Sequence, residues 1–499
     1  MKSFPLTMPT STSSVPPTST PSESIWDVII IGSGFAGLAM GLALKKEPRT
    51  RFLILEQSDR PGGTWQVNRY PGCACDVPSH LYSLSQGPNW NWSQRYAQAP
   101  EIAAYLEQSS LPLQPHLRYG HEVKQAHWDP SGLYWNIQCS QGLFLARVLI
   151  AATGPLTVPH MPDLPGLADF SGPVIHSARW PRHLDLRGQR VGLIGTGASA
   201  IQIAPAIASQ VAHLHIFQRT APWIVPRGDQ HYTLEWHHRW QRYPWLRRLY
   251  RYSLYWSLES HALAFMHRKL MRQVERRTLR LMAQQIKNPA LLQQVTPTTP
   301  MGCKRILLSD DWWSTLQSTQ VSLHTDPITS ITAQQVHTAS QSIPLTVIAL
   351  ATGYRYQDNP VSQRFIGSEG RSLADYWATQ RGAFWGMMMP HFPNFFLMTG
   401  PFSGLGHNSI VFMIESQVSW IRYVLSWANK RQRTRFQVTE KAYADFMHEM
   451  HRRSPDTPWL GCHSWYLDEQ GHNTALWPGY SWEYRWRLMR LNAEECLDG

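Results

Sequence analysis

The stretch IWDVIIIGSGFAGLAMGLAL, residues 25–44, decides the fold of this sequence. Its first seven residues are mostly apolar and β-branched and predict a buried parallel strand, and residues 38–44 predict an apolar helix. Between them lies the motif GSGFAG, with glycines at Gly32, Gly34 and Gly37. In this context the glycines let the backbone approach a pyrophosphate, which the free N–H groups of the helix N-terminus bind. The stretch therefore predicts a dinucleotide-binding α/β domain.

A second apolar strand supports this prediction. Residues 52–55, FLIL, are followed directly by Glu56. A carboxylate at this place in a dinucleotide-binding unit accepts hydrogen bonds from a ribose 2′-OH. Strand, glycine turn, helix, strand and acid in this order are typical of a cofactor site rather than of a plain glycine turn.

The same pattern recurs later in the chain. The strand-like residues 189–194, QRVGLI, lead into GTGASA, which opens a helix and supplies the predicted contacts Thr196, Gly197, Ala198, Ser199 and Ala200. The next strand ends in Gln218, Arg219 and Thr220, without an acid. A guanidinium pairs with a 2′-phosphate that a carboxylate would repel, so the second site is predicted to bind NADPH rather than NADH. The sequence leaves open that Arg219 is an ordinary surface residue.

Two related segments enclose the second glycine motif and predict the domain organisation. Residues 148–154, VLIAATG, and 347–353, VIALATG, each predict a strand that ends in Ala-Thr-Gly. The simplest architecture is α/β, with two Rossmann-like domains, one inserted into the other. The outer domain is assigned residues 25–153 and 350–499, and the inner domain residues 154–349 with a helical insert at about 230–295. Residues 1–24, rich in Ser, Thr and Pro, predict a disordered leader.

Composition limits the class of protein. A chain of 499 residues with 43% hydrophobic residues suits a globular protein of two or more domains. There is no run of about 18 apolar residues, so no transmembrane helix is predicted. Six cysteines in a chain of this length indicate neither a disulfide framework nor a zinc site. Reduced thiols, no metal and a cytoplasmic location are predicted.

The net charge of +12 is concentrated in one segment. Residues 239–280 contain eleven Arg or Lys, two acids and seven Trp or Tyr. A helical subdomain with a solvated basic face is the first interpretation, and docking on a membrane surface or an acidic partner is the second. No nucleic-acid-binding module accompanies the charge, so nucleic acid is not a predicted partner. The oligomeric state cannot be predicted.

The residues before the second glycine motif carry a resemblance to a known family. They are FSGPVIHSARWP, residues 170–181. This segment resembles the FxGxxxHxxxW fingerprint, followed by Pro or Asp, of the flavin-dependent Baeyer–Villiger monooxygenases. The matching positions are Phe170, Gly172, His176, Trp180 and Pro181. The resemblance implies that the outer domain binds FAD and the inner domain NADPH, and that His176 helps to couple the two domains.

The resemblance also implies an activity. Members of this family use NADPH and O2 to insert one oxygen atom next to a ketone carbonyl, through a C4a-peroxyflavin, giving an ester or a lactone. The substrate class is therefore a small ketone or other carbonyl compound. The alternative is an N- or S-oxygenase acting on a soft heteroatom, but those relatives usually carry Phe or Tyr at the position of Trp180.

Further residues match the family over about residues 25–487. Gly63, Thr64, Trp65, Asp76 and Tyr82 resemble its flavin-side loop. The adjacent residues Lys304 and Arg305 resemble its catalytic pair. The resemblance implies that Arg305 stabilises the negative charge that follows flavin reduction, that Asp76 orients Arg305, and that Lys304 lies on the NADPH phosphate side. One departure is Thr346, where the family usually has Asp, and a weakened structural hydrogen bond is expected there.

Two other classes of protein fit less well. A flavin disulfide reductase needs a redox pair of cysteines, usually spaced CxxC or CxxxxC, and Cys73 and Cys75 have the wrong spacing. A basic scaffold protein with a vestigial flavin fold would not need intact glycines at both motifs.

Overall fold

The first glycine motif lies between a strand and a helix in the computed structural model, which describes residues 25–498. The leader predicted for residues 1–24 lies outside the described residues. The first part of the chain forms β1 (Trp26–Ile31), α1 (Phe35–Leu44), β2 (Phe52–Leu55), α2 (Thr64–Val67), α3 (Ala99–Ser110), β3 (Leu117–Arg118), β4 (Val123–Asp129), β5 (Tyr134–Cys139) and β6 (Gly142–Ala151).

The middle of the chain contains the second glycine motif and a group of helices. Its elements are β7 (Val174–His176), β8 (Arg190–Ile194), α4 (Ala200–Ile207), β9 (His213–Phe217), β10 (Ile224–Val225), α5 (Leu234–Arg242), α6 (Pro244–Met266), α7 (Arg268–Gln285), α8 (Pro289–Val295), β11 (Leu307–Leu308), α9 (Trp312–Leu316), β12 (Val321–His324), β13 (Ile328–Ile331), β14 (Gln335–Thr338), β15 (Ser342–Pro344) and β16 (Val347–Leu350). Helices α5 to α8 are the helical insert.

The last part of the chain contains five α-helices and four short strands within the described residues. Its elements are β17 (Phe365–Ile366), α10 (Leu373–Thr379), β18 (Phe395–Leu397), α11 (Ile410–Lys430), β19 (Gln437–Val438), α12 (Glu440–Arg453), α13 (Ser481–Arg490), α14 (Ala493–Cys496) and β20 (Leu497–Asp498). Short 3-10 helices connect the elements in all three parts of the chain, at Leu111–His116, Leu167–Asp169, Ser177–Arg179, Pro360–Arg364, Ser454–Asp456 and Pro458–Gly461.

The outer domain is built on one mixed sheet that both ends of the chain share. Its strand order is β17-β4-β5-β6-β1-β2-β3, and β18 also pairs with β6. Strand β1 is parallel to both neighbours, with Ile30 opposite Ile54 on β2 and Ile150 on β6. On the other side of β6, Phe396 of β18 lies opposite Ile150. The last third of the chain therefore completes a sheet that the first third began.

The inner domain is a second, parallel sheet with strand order β12-β9-β8-β16-β7. Leu193 on β8 lies opposite Ile216 on β9 and Ala349 on β16. A small antiparallel sheet, β13-β14-β15, is attached to this domain. Parallel strands joined by helical crossovers are the arrangement that both glycine motifs require. The predicted fold class, α/β with one Rossmann-like domain inserted into another, is confirmed.

The two connections between the domains run side by side. Pro159 and Tyr354 form an antiparallel bridge, and the backbone N–H of His160 donates to the carbonyl of Gly353 over 2.9 Å. In a second bond of the same bridge, the backbone N–H of Arg355 donates to the carbonyl of Val158, also over 2.9 Å. Both Ala-Thr-Gly segments therefore lead into one paired, two-stranded junction.

The central strands are buried in the apolar cores, which explains why their sequences consist almost entirely of hydrophobic residues. Ile29 and Ile30 on β1 are fully buried, as is Ile150 on β6. Helix α1 is buried almost all round because α11 covers it opposite the sheet, and Leu38 and Ile421 belong to one apolar cluster. Each such side chain contributes about 1.5–3 kcal/mol by leaving water.

The structure contradicts the prediction of reduced thiols. Cys303 and Cys462 form a disulfide with their Cα atoms 5.9 Å apart and 159 residues between them in sequence. The fold, not the local spacing, brings the two together, so the sequence pattern could not show the pair. The other four cysteines are free and buried.

The weakened hydrogen bond expected at Thr346 stays a prediction, and the structure shows which bonds the threonine hydroxyl makes. Thr346 Oγ1 accepts from the backbone N–H of Arg190 over 2.9 Å and lies 3.2 Å from its carbonyl oxygen, to which it donates. The hydroxyl thus holds the start of β8, a structural task that does not require a carboxylate.

Candidate active site

The first glycine turn has no room for side chains at two of its positions. A Cβ atom on Gly37 would lie 1.8 Å from the carbonyl oxygen of Gly32. Gly32 itself has φ +100°, and a Cβ there would lie 2.6 Å from the carbonyl oxygen of Ala152. Helix α1 therefore packs directly on the turn, with its N-terminus at Gly34 open to a ligand.

Glu56 holds this turn in place. Its Oε2 accepts from the backbone N–H and the hydroxyl of Ser33, over 2.8 and 2.7 Å, and its Oε1 accepts from Ser58 N over 2.9 Å. The carboxylate is buried at the end of β2. Each carboxylate oxygen can accept a further bond, so the predicted contact with a ribose 2′-OH stays open.

A second glycine loop closes over the first. Gly62 N donates to Ser33 O over 3.0 Å, and a Cβ on Gly63 would lie 3.1 Å from Gly34 Cα. Helix α2 begins at Thr64, and Trp65 Nε1 donates to the hydroxyl of Tyr82 over 3.1 Å. The backbones of the two glycine loops thus face each other with no side chain between them, next to the rings of Trp65 and Tyr82. This narrow cradle fits the pyrophosphate of a dinucleotide such as FAD.

The second glycine turn is packed as tightly as the first at Gly195 but is open at Gly197. Gly195 has φ +109°, and a Cβ there would lie 2.5 Å from Ala351 O, whereas the same test at Gly197 meets no atom within 4 Å. Thr196 Oγ1 donates to the carbonyl of Thr220 over 3.2 Å, which joins the turn to the segment after β9. Ala198 and Ser199 complete the turn, and α4 begins at Ala200. The open backbone at Gly197 fits a second dinucleotide.

Two cations lie close together near this second turn. The pKa of Lys304 is lowered from its usual value by burial and by the positive charge of Arg219. Arg219 is exposed at the end of β9. Two neighbouring cations of this kind attract a doubly charged anion, and the 2′-phosphate of NADPH is such a group.

Arg305 and Asp76 form an ion pair between the two domains. Arg305 Nη2 lies 2.6 Å and Nε 2.8 Å from the same oxygen, Oδ2, of Asp76. The carboxylate raises the pKa of Arg305 above its usual value, so the guanidinium stays charged at any working pH. About a third of each side chain remains exposed, 33% and 34%. The pair is therefore fixed in direction and still open to a ligand.

Several further contacts bring the domains together around this pair, and the residue patterns did not point to them. Arg227 Nη2 donates to the carbonyls of Cys75 and Tyr96 over 3.0 and 3.2 Å. Gln202 on α4 exchanges hydrogen bonds with the backbone of Ala74. The loop that carries Asp76 is thus held by side chains from the inner domain.

Tyr466 is another residue whose place the sequence does not reveal. Its ring is buried, and its hydroxyl lies near Arg305, whose positive charge opposes the rise in the pKa of Tyr466 that burial causes. More than 150 residues separate Tyr466 from Arg305. The resemblance over about residues 25–487 includes this part of the chain, but no local pattern indicates which side chain reaches the ion pair.

Two aromatic residues of the fingerprint, Phe170 and Trp180, are buried in apolar clusters of the inner domain. Phe170 packs in an apolar cluster under the second sheet, and a Cβ on Gly172 would lie 2.2 Å from Thr346 O. Trp180 is buried in the main cluster of the inner domain, and Pro181 is exposed. The segment thus fixes how the junction meets the second sheet.

His176 shows how the fingerprint reaches the outer domain. Its Nδ1 accepts from the backbone N–H of Ala178 over 3.1 Å, and burial lowers its pKa, so the ring is neutral. The ring lies 6.3 Å from that of Tyr354, centroid to centroid. Tyr354 in turn donates to Asn68 Oδ1 over 2.8 Å, in the loop ahead of Asp76. This chain of contacts links the two domains.

Free cysteines near the first cradle have no redox partner within residues 25–498. Cys73 and Cys75 are both reduced and buried, and burial raises the pKa of Cys73 to about 11. A thiol with a raised pKa is a poor nucleophile, so disulfide reductase chemistry does not fit here.

Comparisons with known proteins agree with this geometry. Residues 29–241 match the family described as pyridine nucleotide-disulphide oxidoreductase, and residues 138–360 match the family described as flavin-binding monooxygenase-like. A Baeyer–Villiger monooxygenase from Streptomyces coelicolor is 40% identical over 94% of this chain and 92% of its own length. Another from Pseudomonas aeruginosa is 38% identical over 92% and 88%.

A solved structure shares the whole architecture. The oxidised form of a steroid monooxygenase bound to NADP superposes with a TM-score of 0.84 at 28% identity, over 94% of this chain and 98% of that one. The resemblance carried by the fingerprint is confirmed. With relatives this similar over nearly the whole sequence, the chain belongs to the Baeyer–Villiger monooxygenase family.

Proposed function

We propose that this protein is an FAD- and NADPH-dependent monooxygenase that inserts one atom of O2 next to the carbonyl of a ketone, giving an ester or a lactone. The observation that carries this proposal is the Arg305–Asp76 ion pair, which lies between the two domains that bear the dinucleotide cradles. When bound, NADPH supplies a hydride, and FAD carries the electrons to O2 and the oxygen atom to the substrate.

The residues proposed to hold FAD surround the first cradle. The glycine backbones leave space for the pyrophosphate, and Glu56 is placed to accept bonds from the ribose. The loop from Gly63 and the aromatic pair of Trp65 and Tyr82 form one side of this cradle. The proposed set is Gly32, Gly34, Gly37, Glu56, Gly63, Thr64, Trp65, Asp76 and Tyr82.

The residues proposed to hold NADPH surround the second turn. Arg219 and Lys304 would supply the two cations for the 2′-phosphate, and the N-terminus of α4 would bind the pyrophosphate. The proposed set is Thr196, Gly197, Ala198, Ser199, Ala200, Arg219, Thr220, Lys304 and Arg305.

Arg305 is the proposed catalytic residue. Negative charge develops on oxygen when a nucleophilic oxidant adds to a carbonyl, and a fixed cation stabilises that charge more effectively than mobile water does. Asp76 binds Nε and Nη2, and the other edge of the guanidinium, at Nη1, has one carbonyl contact, to Leu405 O at 3.5 Å. Asp76 is therefore proposed to orient Arg305 and to leave one edge for the substrate.

One experiment tests the function. The purified holoenzyme should show a flavin absorption spectrum, and NADPH oxidation should accelerate with members of a ketone panel. Gas chromatography should then identify an ester or lactone carrying one added oxygen. A sulfide included in the panel separates the heteroatom-oxygenase alternative, since sulfoxide without ester would favour it.

A cytoplasmic location, where NADPH is available, belongs to this proposal.

NADPH oxidation that yields only hydrogen peroxide with every ketone would contradict the proposed reaction. A protein purified without any flavin that also fails to bind added FAD would contradict the cofactor assignment.

A further inference from the structure

The longest helix of the insert, α6, is buried on one face and strongly apolar on the other. Leu254, Tyr255, Ala262 and Phe265 pack inward. The opposite stripe consists of side chains that are between 44% and 65% exposed, namely Trp245, Leu249, Tyr252, Trp256 and Leu263. Their spacing of four, three, four and seven residues puts them on one side of the helix.

Helix α13 carries a second stripe of the same kind. Trp482, Trp486 and Met489 are between 43% and 78% exposed, again at helical spacing. The two helices flank one cleft of about 1160 Å³, whose walls include Tyr252, Trp256, Trp482 and Met489. We call the two stripes and this cleft the docking face. A surface with this much apolar area usually marks an interaction site.

The charges around the docking face have one dominant sign. The cleft is lined by Arg247, Arg248, Arg251, Arg422, Arg485 and Arg490, and by a single acid, Glu415. Glu415 is already used, because its Oε1 accepts from Ser85 N over 2.6 Å and its Oε2 lies 3.8 Å from Arg485. Arg422 is likewise paired with Glu47, and Arg251 donates to the carbonyls of His80 and Ser83. The docking face is therefore apolar, with a positive rim made by Arg247, Arg248 and Arg490.

The two acids of the basic segment do not reduce this charge at the surface. Glu259 is buried and accepts from Ser481 N and Ser481 Oγ, each over 2.7 Å, and from Asn408 Nδ2 over 2.6 Å. Glu275 Oε1 accepts from Met301 N over 2.7 Å. Both carboxylates are committed to internal bonds, and the cations between them face outward.

We propose that the docking face binds the surface of a membrane that contains anionic phospholipid. Trp and Tyr rings prefer the boundary between headgroups and acyl chains, and interleaved arginines pair with lipid phosphates. Within residues 25–498, every helix is too short or too polar to span a bilayer. The contact is therefore peripheral, with α6 and α13 lying on the surface.

Other occupants fit the face less well. A second copy of this chain in a two-fold dimer would bring the same positive rim against itself. A nucleic acid strand would be held by stacking on the rings, but Leu249, Leu263 and Met489 offer nothing to stack on. Aliphatic and aromatic side chains together suit the acyl boundary of a lipid layer.

The test is co-sedimentation of the holoenzyme with phosphatidylcholine vesicles, prepared with or without phosphatidylglycerol. The salt concentration should be about 0.15 M, at which exposed charges are screened beyond about 8 Å. We expect binding to the anionic vesicles only. Trp245→Ala with Trp256→Ala, and separately Arg248→Gln with Arg490→Gln, should each weaken binding about tenfold or more.

The matched control is Leu143→Ala with Arg147→Gln, which removes an exposed apolar residue and a cation from β6, away from the cleft. This variant should bind as the unchanged protein does. Protein that stays in solution with anionic vesicles overturns the proposal. So does a dimer that the tryptophan variant dissociates, because the face would then belong to a second copy. Binding is measured without substrate, so the result does not depend on the oxygenation chemistry.

Discussion

At the scale of a single residue, Arg305 combines two properties that normally conflict: its charge is held by a partner, and it is still accessible to a ligand. A guanidinium partly buried between two domains needs a partner, and Asp76 supplies one through two short contacts from Nε and Nη2 to the same carboxylate oxygen. A partner that enclosed the whole group would leave nothing for a ligand. Here the carboxylate occupies only the Nε–Nη2 edge, so Arg305 stays charged, oriented and a third exposed.

Arg305→Ala should separate oxygen insertion from NADPH oxidation. We expect FAD binding and flavin reduction to persist, while ester formation falls about 100- to 1000-fold, the usual loss when a donor to a developing oxyanion is removed. Electrons that still reach O2 should appear as hydrogen peroxide. Product by gas chromatography, peroxide and NADPH consumption should be measured together.

Two variants serve as controls for this result. Arg305→Lys should recover only part of the ester yield, because a point charge cannot replace a planar fork. Arg187→Ala breaks an arginine–aspartate pair at the surface, with Asp185 at 2.7 Å, and should leave the yield unchanged. Near-normal ester per NADPH in Arg305→Ala would show that the assigned role is wrong.

Arg219 governs the choice of coenzyme. The unchanged enzyme should prefer NADPH over NADH by about 10- to 100-fold in kcat/KM, roughly 1.5–3 kcal/mol for charged hydrogen bonds to the 2′-phosphate. Arg219→Ala should lose most of that preference, since Lys304 alone would remain. Steady-state rates with both coenzymes provide the measurement, and equal use of both by the unchanged enzyme would refute the idea.

Helices and strands were the level at which the sequence was most informative. The apolar runs beside the two glycine motifs predict β1, α1, β8 and α4 because a buried parallel strand has few alternatives to an unbroken apolar stretch. The exposed faces of α6 and α13 could not be predicted in this way. An aromatic stripe at helical spacing is equally typical of a buried face, and only the tertiary packing shows which side is covered.

Gly37→Ala tests the contact between α1 and the first turn. The new methyl group would lie 1.8 Å from a backbone oxygen that cannot move without opening the turn. Overpacking of this kind costs about 1–3 kcal/mol, so FAD affinity should fall about tenfold or more. The ratio of flavin to protein after dialysis measures the loss.

Gly87→Ala is the matched control, because a Cβ at Gly87 meets no atom within 4 Å. It should keep its flavin. Full flavin content in Gly37→Ala would mean that the turn tolerates a wider approach of the helix than the structure indicates.

At the scale of the whole molecule, long-range pairing defeats prediction from sequence. The resemblance indicated Lys304 and Arg305 as a pair, but nothing local connects Arg305 with Tyr466 or Cys303 with Cys462. Each contact joins the inner domain to the tail of the outer one. Such contacts depend on how two domains meet, which neither periodicity nor a motif encodes.

The disulfide should stabilise the protein as a whole. Because it closes a loop of about 160 residues, it restricts the unfolded chain, and its removal should lower the free energy of unfolding by about 2–4 kcal/mol. Cys303→Ser should therefore melt several degrees below the unchanged oxidised protein. Cys139→Ser, at a free cysteine, is the control, and a reductant should lower the Tm only where the disulfide is present. An unchanged Tm in Cys303→Ser would argue against the bond.

Strand β18 beside β6 sets an order of events during biosynthesis. Leu149 is made about 245 residues before its neighbour Phe395, and at about 5–20 residues per second this delay is on the order of tens of seconds. For that time residues 149–151 of β6 lack the partner strand that β18 supplies beyond the end of β5, and an open apolar edge invites aggregation. All five strands of the inner sheet lie within residues 174–350 and emerge during the wait. The domain inserted in the middle can thus be finished on the ribosome before the domain that encloses it.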